Sequence, residues 1–234
     1  MEDVSYKEQL EALSKISKAI TSDLYLDDIL KLIVTVTAKV MNSKICSLWL
    51  LDEKTKGLKI RATQAISQDY LKERSLRLGE GVVGIVAKEN KPMAILDVLK
   101  EPRYKEKELA KKEGLVSMLS VPMVVKNKVI GVINCYTTSP HKFTDTEIEV
   151  FTAVANQAAV AIENTELLVR TRVIQEELKA RKYIERAKGI LMKEENLTEE
   201  EAYERIRKYS MDRRIPMTEV AEAIILTSEL KKGK

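Results

Sequence analysis

The stretch Val116-Ser117-Met118-Leu119-Ser120-Val121-Pro122-Met123-Val124-Val125-Lys126-Asn127-Lys128-Val129-Ile130-Gly131-Val132-Ile133-Asn134-Cys135-Tyr136-Thr137 decides the fold class. Two apolar runs, Val116–Val125 and Val129–Thr137, flank the polar link Lys126-Asn127-Lys128, a pattern that predicts a β-hairpin. Working outward, Met93–Leu96 is another short run, and Gly57–Thr63 alternates as a half-buried strand should. Ile45–Leu51 is an apolar run that ends in a turn over Asp52–Gly57. Helical spacing surrounds these strands. Tyr6, Leu10, Leu13, Ile16 and Ile20 recur at three- and four-residue steps, and a second helix runs from Leu26 to Met41 with Asp27 and Asp28 in its first turn. Short helices are expected at Gln68–Glu73, Gly81–Glu89 and Lys105–Glu113. A long one starts near Thr144, with Glu147 completing a capping box. Helices, then a meander with an insertion, then a closing helix imply an α+β fold: an antiparallel sheet flanked by helices.

The chain has 234 residues, 44% apolar and 32% charged, enough apolar material for one large core or two small ones. Lys+Arg total 40 and Asp+Glu 36, so the net charge of +4 does not by itself mark a nucleic-acid binder. Two cysteines, Cys46 and Cys135, and one histidine, His141, exclude a disulfide framework, a four-cysteine zinc site and a histidine-rich metal centre. No apolar run is long enough to span a membrane, and the charged N-terminus lacks a signal-peptide core. The expectation is a reduced, cytoplasmic protein with no membrane partner. Gly79-Glu80-Gly81-Val82-Val83-Gly84 matches G-x-G-x-x-G, but it follows antiparallel strands rather than opening a βαβ unit. A tight turn into a short helix is the better reading.

Leu78-Gly79-Glu80-Gly81-Val82-Val83-Gly84-Ile85-Val86, Ile95-Leu96-Asp97 with Pro102-Arg103-Tyr104, Ser117–Met123, Val129–Asn134 and Phe143–Glu147 together resemble a GAF domain, in that order over about residues 10–165. The resemblance implies a sheet with helices behind it and a small-molecule pocket in front, roofed by residues 66–115. Trp49, Asp97, Tyr104, Met118 and Ser120 are the candidate lining residues; the alternative for Trp49 and Met118 is ordinary core packing. Bilin-binding relatives use a roof cysteine, and none lies between Val82 and Ser120. Haem would need an axial histidine, and His141 lies in a turn beyond the sheet. Relatives that reduce methionine sulfoxide use roof cysteines as nucleophiles, whereas Cys46 and Cys135 fall inside strands and read as small buried hydrophobes. No catalytic residue, metal ligand or cofactor is assigned, and the protein is not expected to be an enzyme.

From Thr146 to Glu194 there is no proline, and the only glycine is Gly189. Ile148, Ala155, Ile162 and Val169 repeat by seven, with Phe151, Ala158, Thr165 and Arg172 as a second line, a heptad-like seam that weakens at Arg172. Packing on the sheet is its alternative, and the connector Val169–Leu178, which has no sheet to pack against, is expected to pair with its copy in a homodimer. Domains are expected at 1–165 (sensor), 166–178 (helical connector) and 179–234 (output).

Residues 178–234 hold 14 Lys+Arg against 11 Asp+Glu, and six of the acids, Glu194, Glu195, Glu199, Glu200, Glu201 and Glu204, cluster at one corner. Three helices are expected. The first carries Ile184, Ala187 and Leu191 inward with Lys188 on its exposed side. The second is capped by Thr198 and Glu201, with Ala202, Ile206 and Tyr209 inward. The third follows Pro216 and buries Val220, Ala221, Ile224 and Ile225. Arg181–Met192, Thr198–Ser210 and Arg213–Ile224 resemble the three blocks of an ANTAR domain, over about residues 175–228. Ile206 stands where that family usually has Leu. The resemblance implies binding of structured leader RNA, typically paired stem-loops, and antitermination of transcription. RNA offers phosphates and unstacked bases. Arg181, Lys182, Lys188, Arg205, Arg207, Lys208, Arg213 and Arg214 supply the matching charge, and Gly189 permits close approach. Tyr209 is assigned to the core, with base stacking as its alternative.

A DNA-binding output domain is the competing reading. A recognition helix would aim Arg, Asn or Gln at base edges. The third helix, Met217–Ile225, is instead acidic and apolar.

Overall fold

The computed structural model describes residues 26–63 and 74–232; the predicted helices over Tyr6–Ile20 and Gln68–Glu73 lie outside them. The elements run α1 (Leu26–Val40), β1 (Ile45–Asp52), β2 (Gly57–Thr63), β3 (Ser75–Arg77), α2 (Gly81–Glu89), β4 (Met93–Ile95), α3 (Lys107–Glu113), β5 (Met118–Val125), β6 (Lys128–Tyr136), α4 (Asp145–Glu195), α5 (Glu199–Arg213) and α6 (Met217–Lys232). The chain divides into two units at Glu166/Leu167.

The six strands form one antiparallel sheet in the order β3-β2-β1-β6-β5-β4. The β5–β6 hairpin closes on Lys126 and Asn127, at φ +50° and +62°. That left-handed pair matches the twist of the strands it joins. Asp52 sets the β1–β2 turn, its Oδ1 accepting the N–H groups of Lys54 and Thr55 at 2.9 and 3.1 Å. The G-x-G-x-x-G run is explained by backbone demands. Gly79 and Gly81 have φ of +85° and +64°, and a Cβ on Gly84 would stand 2.4 Å from the Arg77 carbonyl oxygen. It begins α2 against β3, with no βαβ crossover.

Both faces of the central strands are covered. Cys46, Leu48, Leu119, Val121, Ile133 and Cys135 point to the back, where they pack with Ile29 and Ile33 of α1 and with Phe151, Ala155, Ala158 and Ile162 of α4. Ile45, Trp49, Met118, Val132 and Tyr136 point to the front, under Val82 and Val86 of α2, Ala110 of α3, and Val98, Tyr104 and Leu115. The C-terminal unit has its own small core of Ala187, Leu191, Ala202, Ile206, Val220, Ala221 and Ile225. Thr198 and Glu201 form the expected capping box on α5. Thr144 and Glu147 exchange the same pair of bonds at the start of α4. Among the described residues, no helix is long and apolar enough to cross a membrane.

Of the two uses open to the heptad stripe, its first half is taken by the sheet. Phe151, Ala155, Ala158, Ile162 and Thr165 are buried inside the N-terminal unit. The sheet claims the same helical face that a dimer seam would use, because an apolar stripe serves whichever surface is nearest. Beyond Glu166 the apolar side chains stay in water: Leu167, Leu168, Val169, Val173, Ile174 and Leu178 are all exposed. Ile162→Asp should therefore destabilise the N-terminal unit by about 3 kcal/mol or more, since it buries an unpaired charge. Val169→Asp, at an exposed position, should leave its unfolding curve close to the parent's. Urea denaturation of both variants checks this.

Candidate functional site

The front of the sheet carries most of the residues expected to bind a ligand. Trp49 and Tyr104 line one small cavity with Arg74, Glu106 and Tyr136. Met118 packs in the same cluster. Its volume is about 20 Å³, room for about one water molecule. Tyr104 and Tyr136 meet edge to face at 6.5 Å between ring centroids. The Arg74 guanidinium lies 5.9 Å from the centroid of the Trp49 ring and bonds Glu106 at 2.8 Å. The Trp49 indole N–H is buried and has no acceptor among the described residues. An orphaned donor of this kind costs free energy unless water or a ligand meets it.

Behind the cavity runs a buried polar row. Ser120 Oγ donates to Asn134 Oδ1 at 2.7 Å, and Asn134 Nδ2 donates to Ser47 Oγ at 3.2 Å. These residues are direct cross-strand neighbours on β1, β6 and β5. Ser120 is thus engaged within the sheet. Asp97 stands apart from the cavity: its Oδ1 accepts the N–H groups of Leu99 and Lys100, and its Oδ2 pairs with Lys100. Burial pushes its carboxyl up, but the Lys100 ammonium and these bonds outweigh that and hold it below the usual range. Tyr136 and Asn134 were readable from period two, since both share a face with Val132. Arg74 carried no comparable signal.

Cys46 and Cys135 face each other across β1 and β6 and are buried. Burial pushes the Cys46 thiol well up, with Cys135 adding to it, and pushes Cys135 up to about 12. A thiol so reluctant to ionise is a poor nucleophile. Among the described residues, no group of three or more His, Cys, Asp or Glu side chains is arranged to hold a metal ion.

In the C-terminal unit the basic residues separate into two sets. Arg181, Lys182, Lys208, Arg213 and Arg214 are exposed. Among the described residues these five have no carboxylate partner. Arg205 and Arg207 are exposed but paired, with Glu195 and Glu204. Lys188 is only 7% exposed, contrary to its expected outward position. Its ammonium donates to Glu199 at 2.7 Å and to Glu185 at 3.0 Å, tying α4 to the first turn of α5. Gly189, the next residue, is exposed, and a Cβ there would meet nothing within 4 Å. No packing within the unit calls for a helix-interior glycine, which costs about 1 kcal/mol relative to alanine. Arg214 ends α5 at φ +54°, a conformation that favours glycine. Tyr209, assigned to the core side, is 51% exposed, with the Arg213 guanidinium 5.7 Å from its ring centroid.

The family profile described as GAF domain matches residues 25–162, and that described as ANTAR domain matches 172–225. The GAF domain of a phosphoenolpyruvate-protein phosphotransferase from Acinetobacter superposes with a TM-score of 0.59 at 25% identity, covering 69% of this chain and 97% of that one. The "Phosphoenolpyruvate-dependent phosphotransferase system" protein of Escherichia coli K12 is 24% identical over 158 residues, 68% of this chain. The chain spans 21% of that relative's length. The "Nif-specific regulatory protein" of Herbaspirillum seropedicae is 23% identical over 81% of this chain and 37% of its own. "Transcriptional regulatory protein PdtaR" of Mycobacterium tuberculosis is 40% identical over 65 residues, 28% of this chain and 32% of that protein.

Lys188→Ala should lower the unfolding midpoint of the C-terminal unit, because it leaves Glu185 and Glu199 facing each other without a cation. The hydrogen bond from Lys188 holds the Glu199 carboxyl below its ordinary value. That contribution is present above the unfolded-state value and is lost as pH falls through the depressed folded one. The gap between parent and variant should accordingly narrow in acid, in thermal melts followed by circular dichroism from pH 7 downward.

Proposed function

Because the chain belongs to the GAF family and carries an ANTAR domain at residues 172–225, we propose that it is a signal-responsive transcription antitermination regulator. Residues 1–165 form the sensor, 166–178 the helical connector and 179–234 the output domain. The output domain binds stem-loop leader RNA as part of a homodimer, and the protein works in the cytoplasm. It acts by binding rather than catalysis, in keeping with two thiols too buried to ionise readily. The observation that carries the RNA reading is the set of exposed, unpaired cations on the ANTAR unit: Arg181, Lys182, Lys208, Arg213 and Arg214. Arg205 and Arg207 join them at low cost, since exposed ion pairs are worth little and exchange readily for phosphate. Lys188 serves by holding α5 on α4, and Gly189 lets the RNA backbone come close. A small ligand enters the sensor at the Trp49–Tyr104 cavity, where the unmet indole N–H selects a group with an acceptor. Met118 and Ser120 support that wall from the sheet, and Asp97 shapes the turn leading to Tyr104.

Dimerisation uses the apolar side chains that remain exposed. Val160, Leu167, Ile174 and Leu178 follow heptad spacing with Asn164 and Thr171 between them, and a polar residue at such a seam fixes register. Ile174→Lys should convert a dimer to a monomer in light scattering without changing the N-terminal unit's unfolding. A stable monomer of the unaltered chain would reject the dimer.

RNA affinity should fall steeply with salt, because each neutralised phosphate releases counterions. Arg213→Ala with Arg214→Ala should weaken binding of a two-hairpin leader RNA at least tenfold. Arg214→Gly alone should weaken it too, while stabilising the domain by about 1 kcal/mol through relief of the left-handed backbone. Gel shifts against duplex DNA of equal charge decide the matter. Equal affinity for both nucleic acids would favour a DNA-binding output domain or a non-specific one.

A further inference from the structure

We propose that a groove beside Tyr209, between α4, α5 and α6, takes an unstacked base of the bound RNA. The proposal rests on the RNA-binding reading above and adds where a base, rather than a phosphate, is held.

Three observations converge on it. Tyr209 keeps half its surface in water although Ala202 and Ile206 on the same helix are buried. An exposed tyrosine adds nothing to the domain's core. Its ring is flanked by Arg213 one turn on, 5.7 Å away, so an aromatic plane and a guanidinium stand together. Such pairs stack on bases without regard to sequence. Next to the ring opens a groove of about 480 Å³ with a floor of Ile190, Ile206, Ile215 and Ile224. That volume is typical of sites for flat organic groups, whereas the front cavity of the sensor holds about 20 Å³.

Charge separates base from phosphate. Glu194, Glu195 and Glu219 line the groove together with Arg205 and Lys231. Both cations are held by carboxylates there, Lys231 by Glu194 at 3.3 Å, so the acids are in excess, and carboxylates repel a phosphate but accept hydrogen bonds from the amino edge of a base. Glu195 is engaged by Arg205, and Glu219 has no ion-pair partner among the described residues. The unpaired cations Lys208, Arg213 and Arg214 lie along the end of α5, placed to hold the flanking phosphates. RNA hairpin loops supply splayed bases for such a site.

The test uses the full chain and a two-hairpin RNA with 2-aminopurine at each loop position in turn. Tyr209→Leu should lower affinity about tenfold with an unchanged salt slope, because a stack is lost and no phosphate contact is. Tyr209→Phe should bind like the parent. One loop position should be quenched by the parent and by Tyr209→Phe, but not by Tyr209→Leu. Undiminished binding by Tyr209→Leu, or a loss accompanied by a shallower salt slope, would overturn the base site while leaving RNA binding intact. A change of oligomeric state in Tyr209→Leu would assign the groove to a protein interface and overturn it as well. Failure of the unaltered chain to bind the RNA at all would remove the reading beneath it, and the proposal with it.

Discussion

Burial of the sheet on both faces is the constraint from which the rest of the N-terminal unit follows. An antiparallel sheet commonly leaves one face in water. Here Met118, Leu119, Ser120 and Val121 are all fully buried in consecutive positions, as are Val132, Ile133, Asn134 and Cys135. A polar side chain caught inside costs free energy unless it finds a partner there. Ser47, Asn134 and Ser120 meet that demand by lining up across three strands, each serving the next. The same closure leaves little free volume in front, so a ligand must displace side chains to gain room. It also explains why α4 spends its first turns on the core: without Phe151, Ala155, Ala158 and Ile162 the back of the sheet would be open.

Much of this was legible in the sequence where a local rule decides the outcome. The hairpin at Lys126-Asn127, the α2 helix over Gly81–Glu89, the β2 strand over Gly57–Thr63 and both threonine–glutamate capping boxes sit where pattern and spacing put them. Each depends on neighbours within a few residues. What escaped depends on residues brought together from a distance. The heptad on α4 was real as periodicity, but periodicity does not name the surface that covers it. Lys188 reads as a solvated charge until Glu199, eleven positions later, is folded back onto it. Asp97 reads as a ligand-binding acid until its own turn takes up its oxygens. Tyr209 falls on the inward stripe by spacing, yet the small bundle closes over Ala202 and Ile206 before reaching it.

The C-terminal unit divides its charges by role. The acids of the first α5 turn, Glu199, Glu200 and Glu201, sit where the helix dipole favours them. There they also anchor Lys188 and complete the Thr198 cap. The paired and unpaired cations are distributed over α4 and α5: among the described residues, Lys188, Arg205 and Arg207 are held by carboxylates, and Arg181, Lys182, Lys208, Arg213 and Arg214 are not. Two backbone oddities, the unpacked Gly189 and the left-handed Arg214, fall among those cations. Local conformational cost at a surface position is easiest to account for when something outside the domain uses it.

Trp49 gives the sensor a built-in optical probe. It is the chain's one tryptophan, 3% exposed, with a cation over its ring and no acceptor for its indole nitrogen among the described residues. All of the protein's tryptophan emission therefore originates from the wall of a single cavity. A molecule that supplied an acceptor to that nitrogen, or moved Arg74 off the ring, would alter both wavelength and yield without any label attached. Compound libraries can accordingly be screened on the native chain by ultraviolet fluorescence alone.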